Sequence, residues 1–144
     1  MTPAEIEALI ARLEGASGAD HVLDAHIHLA LRGYTLHEDT DPANGHFAFW
    51  DGEPWKSWCS NCSSWSSPTA SVDEALTLVP EGHAWKAGRS SLGAWAEVCA
   101  DDGSGEIDED RHWIAEAATP ALALCIAALK ARALLSASRA EVGS

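Results

Sequence analysis

An amphipathic helix is predicted near the start of the chain. Its apolar positions recur at helical spacing: Ile6, Leu9, Ile10 and Leu13. Thr2 is a candidate N-cap that forms a capping box with Glu5, and Pro3 suits the first helical position. Gly15 ends the pattern. We therefore expect a helix between Thr2 and Gly15.

The next segment, residues 20–32, fits either a strand or a helix. As a strand, its apolar residues alternate with three polar ones, Asp24, His26 and His28. As a helix, it begins at an N-cap, Asp20, and has one apolar face formed by Leu23, Ile27, Ala30 and Leu31. The segment is long for a strand and typical in length for a helix, so we predict the helix.

Residues 35–70 contain four tryptophans and a Cys-x-x-Cys pair but little periodicity. "HFAFW" at 46–50 is a strand candidate, whereas residues 51–70 show neither helical nor strand spacing. We therefore predict a long loop segment rich in Trp and Cys. Long loops in compact domains are usually functional, held by a metal or disordered. The tryptophans favour an ordered loop because such large rings tend to be buried.

Regular structure resumes with "SVDEALTLVP" at residues 71–80. Ser71 and Glu74 form a capping box, which predicts a helix. Three strand candidates follow, "HAWKAG", "AWAEVCA" and "RHWIAE". "TPALALCIAALKARALL" is then a helix capped by Thr119 that starts at Pro120. The polar tail, residues 136–144, is expected to fray.

These elements occur in the order α-α-β-α-β-β-β-α within a single domain, residues 1–144. Strands in the second half with helices around them predict an α+β fold, a small antiparallel sheet of three or four strands covered by helices. Five residues of the second half are expected in the core: Trp85, Trp95, Trp113, Cys99 and Cys125.

The composition is acidic, with 22 Asp and Glu against 9 Lys and Arg and a net charge of −13. This balance argues against direct nucleic-acid binding, which needs cations to neutralise phosphates. It favours a partner with a basic surface, and the acidic loop at 101–110 fits either a solvated run or a surface for such a partner. Without a signal peptide or a bilayer-spanning apolar run in the sequence, we expect a cytoplasmic location and no membrane contact.

"LDAHIHL" at 23–29 resembles the Asp-x-His-x-His strand signature of the amidohydrolase superfamily. One hypothesis is therefore a metal-dependent hydrolase that uses Asp24, His26 and His28. However, the barrel that gives the signature its meaning needs roughly 200 residues or more, and this chain has 144. We favour three solvent-facing polar residues on a helix.

The Trp/Cys-rich loop holds the stronger candidate site. Cys59 and Cys62 have the spacing of a zinc pair, with His37 and His46 upstream as further ligands, which predicts a zinc-stapled interaction module. Unligated cysteines are the alternative, and the one we favour. Four tryptophans could stack on a flat ligand or form a hydrophobic cluster that fixes the loop: Trp50, Trp55, Trp58 and Trp65.

Three stretches resemble a family of small, uncharacterised bacteriophage and prophage proteins, the phage alpha-beta-alpha sandwich domain. They are "ALIARLEGASGADHVLDAHIHLAL", "PTASVDEALTLVPEG" and "AATPALALCIAALKARAL". The resemblance implies two helical layers around a sheet and a phage or prophage origin, and it carries over no catalytic residues. We therefore expect an accessory protein that acts by binding a host protein or a small flat ligand, in counter-defence for example, without catalysis. We expect no cofactor, and zinc is the alternative.

Overall fold

The computed structural model describes residues 3–31, 35–36, 46–50, 56–60, 67–101, 103 and 109–142. The helices and strands in this part of the chain are α1 (Pro3–Glu14), α2 (His21–Leu31), β1 (Thr35–Leu36), β2 (His46–Trp50), β3 (Lys56–Ser60), α3 (Val72–Ala75), β4 (His83–Ser90), β5 (Gly93–Ala100), β6 (His112–Ala117) and α4 (Pro120–Val142). Short 3-10 turns follow α3, at Leu76–Leu78, and precede β6, at Glu109–Arg111.

The described strands form two antiparallel sheets of three strands each, in the orders β1-β2-β3 and β4-β5-β6. In the second sheet β4 pairs with β5 along its whole length, and β5 pairs with β6. Gly93, at the β4–β5 turn, has φ 129°, which L side chains rarely adopt. The predicted α+β class, with a three-stranded antiparallel sheet and the stated order of elements, is confirmed.

Two strands, β1 and β3, are additional to those predicted. β3 lies in the stretch predicted to be a loop, so the prediction is wrong at Lys56–Ser60. Its residues do not alternate between apolar and polar, so the sequence alone does not indicate a strand. The strand is defined by its pairing with β2. Phe47 pairs with Cys59, and Trp50 pairs with Lys56.

α4 is the central helix of the core. Residues 121–129 are all buried, so the helix has no polar face over this stretch. It packs against α1 and α3 and against strands β4, β5 and β6. The helix continues to Val142, through most of the segment expected to fray. Because helix ends can fray, the expected fraying of this segment stays a prediction.

Three helices begin at the residues that the sequence predicts. Asp20 Oδ1 accepts hydrogen bonds from the N–H groups of Val22 and Leu23 at 2.9 and 3.2 Å. Ser71 Oγ and Thr119 Oγ1 each accept from the N–H group three residues further on, at 3.4 and 3.2 Å. These side chains satisfy donors that have no partner inside their helices, so they set the helix starts. Thr2 lies outside the described residues.

The sheet β4-β5-β6 has one side in the core and one side turned away from it. The residues buried on the core side alternate along the strands: Ala94, Ala96, Val98 and Ala115. α1 adds its predicted stripe to the same core: Ile6, Leu9, Ile10 and Leu13. The small sheet residues let α4 pack closely on one side, and the opposite side is available for other contacts.

Candidate functional site

The Asp-x-His-x-His motif lies on a helix, α2, as predicted. His26 and His28 are two residues apart, so they project about 200° apart around the helix axis. That separation prevents the two imidazoles from binding one metal ion. Asp24 and His28 are four residues apart and lie on neighbouring turns.

Asp24 is 5% exposed, so the expectation of a solvent-facing residue is wrong. Thr69, which comes from the segment before α3, accounts for this burial. The N–H and the hydroxyl of Thr69 both donate to Asp24 Oδ1, at 2.9 and 2.8 Å. Burial raises the pKa of Asp24, although the two hydrogen bonds from Thr69 act in the opposite direction.

Cys125 extends this polar contact to α4. Its thiol donates to the backbone carbonyl of Pro68 at 3.3 Å, and its side chain is fully buried, as predicted. Burial raises the pKa of the Cys125 thiol to about 12, with a further contribution from the nearby Asp24. The thiol is therefore protonated and unreactive at neutral pH. We name the group Asp20, Asp24, Pro68, Thr69 and Cys125 the Asp24 anchor, because it ties α2 and α4 to residues 67–71.

His26 is half-buried, and its pKa is shifted in the opposite direction from that of Asp24. Burial, followed by the charge of Arg12, lowers the pKa of His26 to about 4. The imidazole is therefore neutral at physiological pH. In the described part of the chain, no three His, Cys, Asp or Glu side chains are grouped so that they could hold a metal ion.

The structure describes the backbone of only some residues in the predicted zinc site and the tryptophan group. His46 starts β2 and pairs with Ser60, next to Cys59 on β3. Trp50 and Trp58 also lie on these strands. The side chains of these residues lie outside the described set, as do all atoms of His37, Trp55, Cys62 and Trp65. The zinc and flat-ligand hypotheses remain predictions.

The side of the sheet β4-β5-β6 turned away from α4 carries the candidate site. On β5, Trp95, Glu97 and Cys99 alternate with the buried residues and are partly exposed. Strand register places residues of β4 and β6 beside them on the same side. We name this side the outer face and define it by Lys86, Gly88, Trp95, Glu97, Cys99, His112, Ile114 and Glu116.

Trp95 lies across the neighbouring strand at Gly88. A Cβ atom built on Gly88 would be 2.9 Å from Trp95 Cζ2, closer than real Cβ atoms come, and 3.1 Å from Cε2, which is tighter than most real contacts. The absence of a side chain at Gly88 therefore leaves room for the indole against the neighbouring strand. Trp95 as a whole is partly exposed.

A depression of about 580 Å³ lies beside Trp95. Its apolar wall includes Ile114, which is 55% exposed, and Leu92, which is 98% exposed. Three carboxylates from three elements line it, and no Lys or Arg is found among the described residues of its lining. Those described residues are Glu14, Ala16, Ser90, Leu92, Gly93, Ala94, Trp95, Glu97, Ile114, Glu116, Ala117 and Ala118. The depression combines an aromatic ring, exposed apolar side chains and negative charge.

His112 and Glu97 form a polar pair next to this depression. Their Nε2 and Oε2 atoms are 3.5 Å apart, and both side chains are partly exposed. Cys99 lies directly opposite His112 in the strand register. It is partly exposed rather than buried, so the expectation that Cys99 belongs to the core is wrong.

Two of the three tryptophans on the described strands of the second sheet differ from expectation. Trp113 packs against the core, as predicted. Trp85 is 43% exposed and Trp95 lies on the outer face, so the core prediction is wrong for both. In β5 the small residues Ala94 and Ala96 occupy the opposite phase from Trp95, but alternation alone does not say which set faces the core. A helix packed closely on a sheet favours small residues on the buried side, whereas the tendency of tryptophan to be buried favoured the opposite interpretation.

No family model, curated protein or solved structure matches this chain. The resemblance to the phage domain therefore remains a prediction that rests on the quoted stretches. Among the described residues, no helix has the length and apolarity needed to span a bilayer.

Proposed function

We propose that the protein acts by binding a partner protein through the outer face, without catalysis. The observation that supports this most strongly is the exposure of Ile114 and Leu92 beside Trp95. Exposed apolar and aromatic side chains grouped on one surface are typical of protein interaction sites. Ile114 and Trp95 lie on the side of the sheet away from α4, and Leu92 lies in the exposed turn between β4 and β5, where a partner can reach it.

The charge of the chain supports a partner with a basic surface. The net charge is −13, and the depression beside Trp95 is lined by Glu14, Glu97 and Glu116. Complementary charge accelerates association and disfavours acidic competitors. Apolar contacts at the centre then supply most of the affinity, as in other interfaces.

The environment of Asp24 supports a binding function rather than hydrolysis. Asp24, the carboxylate of the hydrolase hypothesis, is buried and accepts two hydrogen bonds from Thr69. A metal ligand must instead share a lone pair with the metal ion, and Asp24 Oδ1 already uses its lone pairs for the two hydrogen bonds from Thr69. The Asp24 anchor therefore serves to hold α2 and α4 to residues 67–71.

The resemblance to the phage domain suggests where such binding would take place. An accessory protein of a phage or prophage would work in the cytoplasm of its bacterial host, where its partner would be a host protein. Counter-defence is one such role.

Site-specific photo-crosslinking tests this proposal. A benzophenone amino acid at position 92, which is 98% exposed and lines the depression, is expected to capture a bacterial protein in cells. The same group at position 73, an exposed site on α3, is the control. The captured protein is then purified, and binding is measured directly by calorimetry.

A protein captured from position 92 but not from position 73, which binds the purified chain and binds more weakly at high salt, would support the proposal. Equal capture from both positions, or a captured protein that does not bind after purification, would contradict it. A requirement for zinc in binding would instead favour the interaction module at Cys59 and Cys62.

A further inference from the structure

We infer that the depression beside Trp95 receives the cationic side chain of a lysine or arginine from the partner. This inference rests on the proposed function and specifies which chemical group the outer face recognises. It follows from the placement of charge, from the position of the indole and from the apolar wall of the depression.

The carboxylates around the depression converge from separate elements. Glu14 comes from the last turn of α1, Glu97 from β5 and Glu116 from β6. Lys86 also belongs to the outer face, opposite Glu97 in the register, but it does not line the depression. Glu97 additionally contacts His112. Three negative charges around one concave surface attract a cation and repel an acidic side chain.

The indole of Trp95 supplies a second attraction for a cation. Trp95 lies against Gly88 and also lines the depression, so a charged group that enters the depression meets this side chain. A lysine or arginine within about 6 Å of the ring centroid gains a cation–π interaction. This attraction distinguishes a cationic group from a neutral apolar one of equal size.

The apolar wall suits the rest of such a side chain. Lysine and arginine carry long aliphatic stems that pack along apolar surface while the charged group remains near polar atoms. Leu92, Ile114 and the alanines at 117 and 118 provide that surface. The stem and the charged group thus find separate complementary contacts in one depression.

Nuclear magnetic resonance of the indole N–H groups tests the inference without knowledge of the partner. The probe is the peptide Ac-Ala-Lys-Ala-Lys-Ala-NH2, and its matched control has norleucine in place of both lysines. Trp95→Phe removes one indole signal and so assigns it among the seven tryptophans. The lysine peptide is expected to shift the Trp95 signal in a saturable way, and the norleucine peptide is expected to leave it unchanged.

Two pairs of variants separate position from charge. Gly88→Ala forces the indole to move without altering any charge. Its control is Gly18→Ala, because a Cβ on Gly18 would meet no atom within 4 Å. Glu116→Gln removes one exposed carboxylate of the depression, and Asp73→Asn removes an exposed carboxylate on α3. Gly88→Ala and Glu116→Gln are each expected to weaken peptide binding several-fold, and the control variants to leave it unchanged.

Equal shifts with both peptides, or no shift of the Trp95 signal with either, would overturn the inference. So would unchanged binding in Glu116→Gln, a variant at an exposed position that leaves the core intact. These outcomes are distinct from failure of the proposed function, because a partner captured from position 92 would still bind through the apolar side chains of the outer face.

Discussion

The carboxylate of Asp24 has two roles in the fold, as a hydrogen-bond acceptor and as a buried charge, and two substitutions separate them. Asp24→Ala removes the oxygen that accepts both hydrogen bonds from Thr69. The Thr69 hydroxyl has a second acceptor, the backbone oxygen of Asp20 at 3.2 Å, whereas its N–H loses the acceptor it has. A buried donor without a partner costs about 1–3 kcal/mol. Because Asp24→Ala and Asp24→Asn both remove the charge, we expect the free energy of unfolding of Asp24→Ala to lie below that of Asp24→Asn by this amount at neutral pH.

Asp24→Asn keeps an acceptor oxygen for Thr69 but removes the charge. Burial raises the pKa of Asp24 above its ordinary value of 3.8, so the folded state binds this proton more tightly than the unfolded state does. The associated stabilisation is fully present below 3.8 and is lost as the pH rises through the folded pKa. At neutral pH we therefore expect Asp24→Asn to be at least as stable as the wild type. Its advantage should shrink as the pH falls towards 3.8.

Urea unfolding followed by tryptophan fluorescence, at several pH values from about 7 down to about 4, measures both effects. Asp73→Asn, at an exposed position on α3, is the control and should not alter the pH dependence in this way. If Asp24→Asn loses as much stability as Asp24→Ala at neutral pH, the charge itself stabilises the fold and the reasoning is refuted.

Three further predictions concern other buried or partly buried groups. Because burial lowers the pKa of His26 to about 4, His26 contributes stability that is present above 6.5 and lost as the pH falls towards 4. His26→Gln has no imidazole to protonate, so its unfolding free energy should fall by about 1–2 kcal/mol less than that of the wild type over this pH range, after an allowance for solvent screening. Urea unfolding measures this difference, and an unchanged pH profile would contradict the prediction. Arg132→Met removes the hydrogen bond from Nε to the carbonyl of Leu78, 2.6 Å long, but keeps an aliphatic stem. It should lower the unfolding free energy by about 1–2 kcal/mol, and no change would show that water replaces this bond. Iodoacetamide should label the partly exposed Cys99 but not the buried Cys125 in the native protein, as mapped by peptide mass spectrometry; equal labelling would contradict the burial of Cys125.

The parts of the fold that depend on local chemistry could be predicted from the sequence. Helix starts at Asp20, Ser71 and Thr119 follow from side chains that reach N–H groups two or three residues away. The helix interpretation of residues 20–32 followed from its length and its cap. Such interactions involve neighbours along the chain, so the pattern of residues is sufficient to indicate them.

The parts that depend on distant partners could not be predicted in this way. Asp24 is buried because Thr69, forty-five positions further along the chain, donates two hydrogen bonds to it. Residues 56–60 form a strand because β2 pairs with them. Neither relation leaves a periodic signal in the segment itself.

The candidate site on the outer face was missed for a related reason. Alternation along β5 separates Ala94 and Ala96 from Trp95, but it does not say which set faces the core. The general tendency of tryptophan to be buried favoured the wrong side. Gly88, whose missing side chain accommodates the indole, lies on a different strand and becomes informative only when the register is known.

The affinity of the purified partner for two matched variants tests the central claim most directly. Ile114→Ala shortens an apolar side chain on the outer face that is 55% exposed, and Leu134→Ala shortens one on α4 that is 39% exposed. Calorimetry at physiological salt is expected to show binding about tenfold weaker for Ile114→Ala, equivalent to about 1.4 kcal/mol, and unchanged for Leu134→Ala. Unchanged binding by Ile114→Ala, with its fold confirmed by circular dichroism, would contradict the assignment of the outer face as the binding surface.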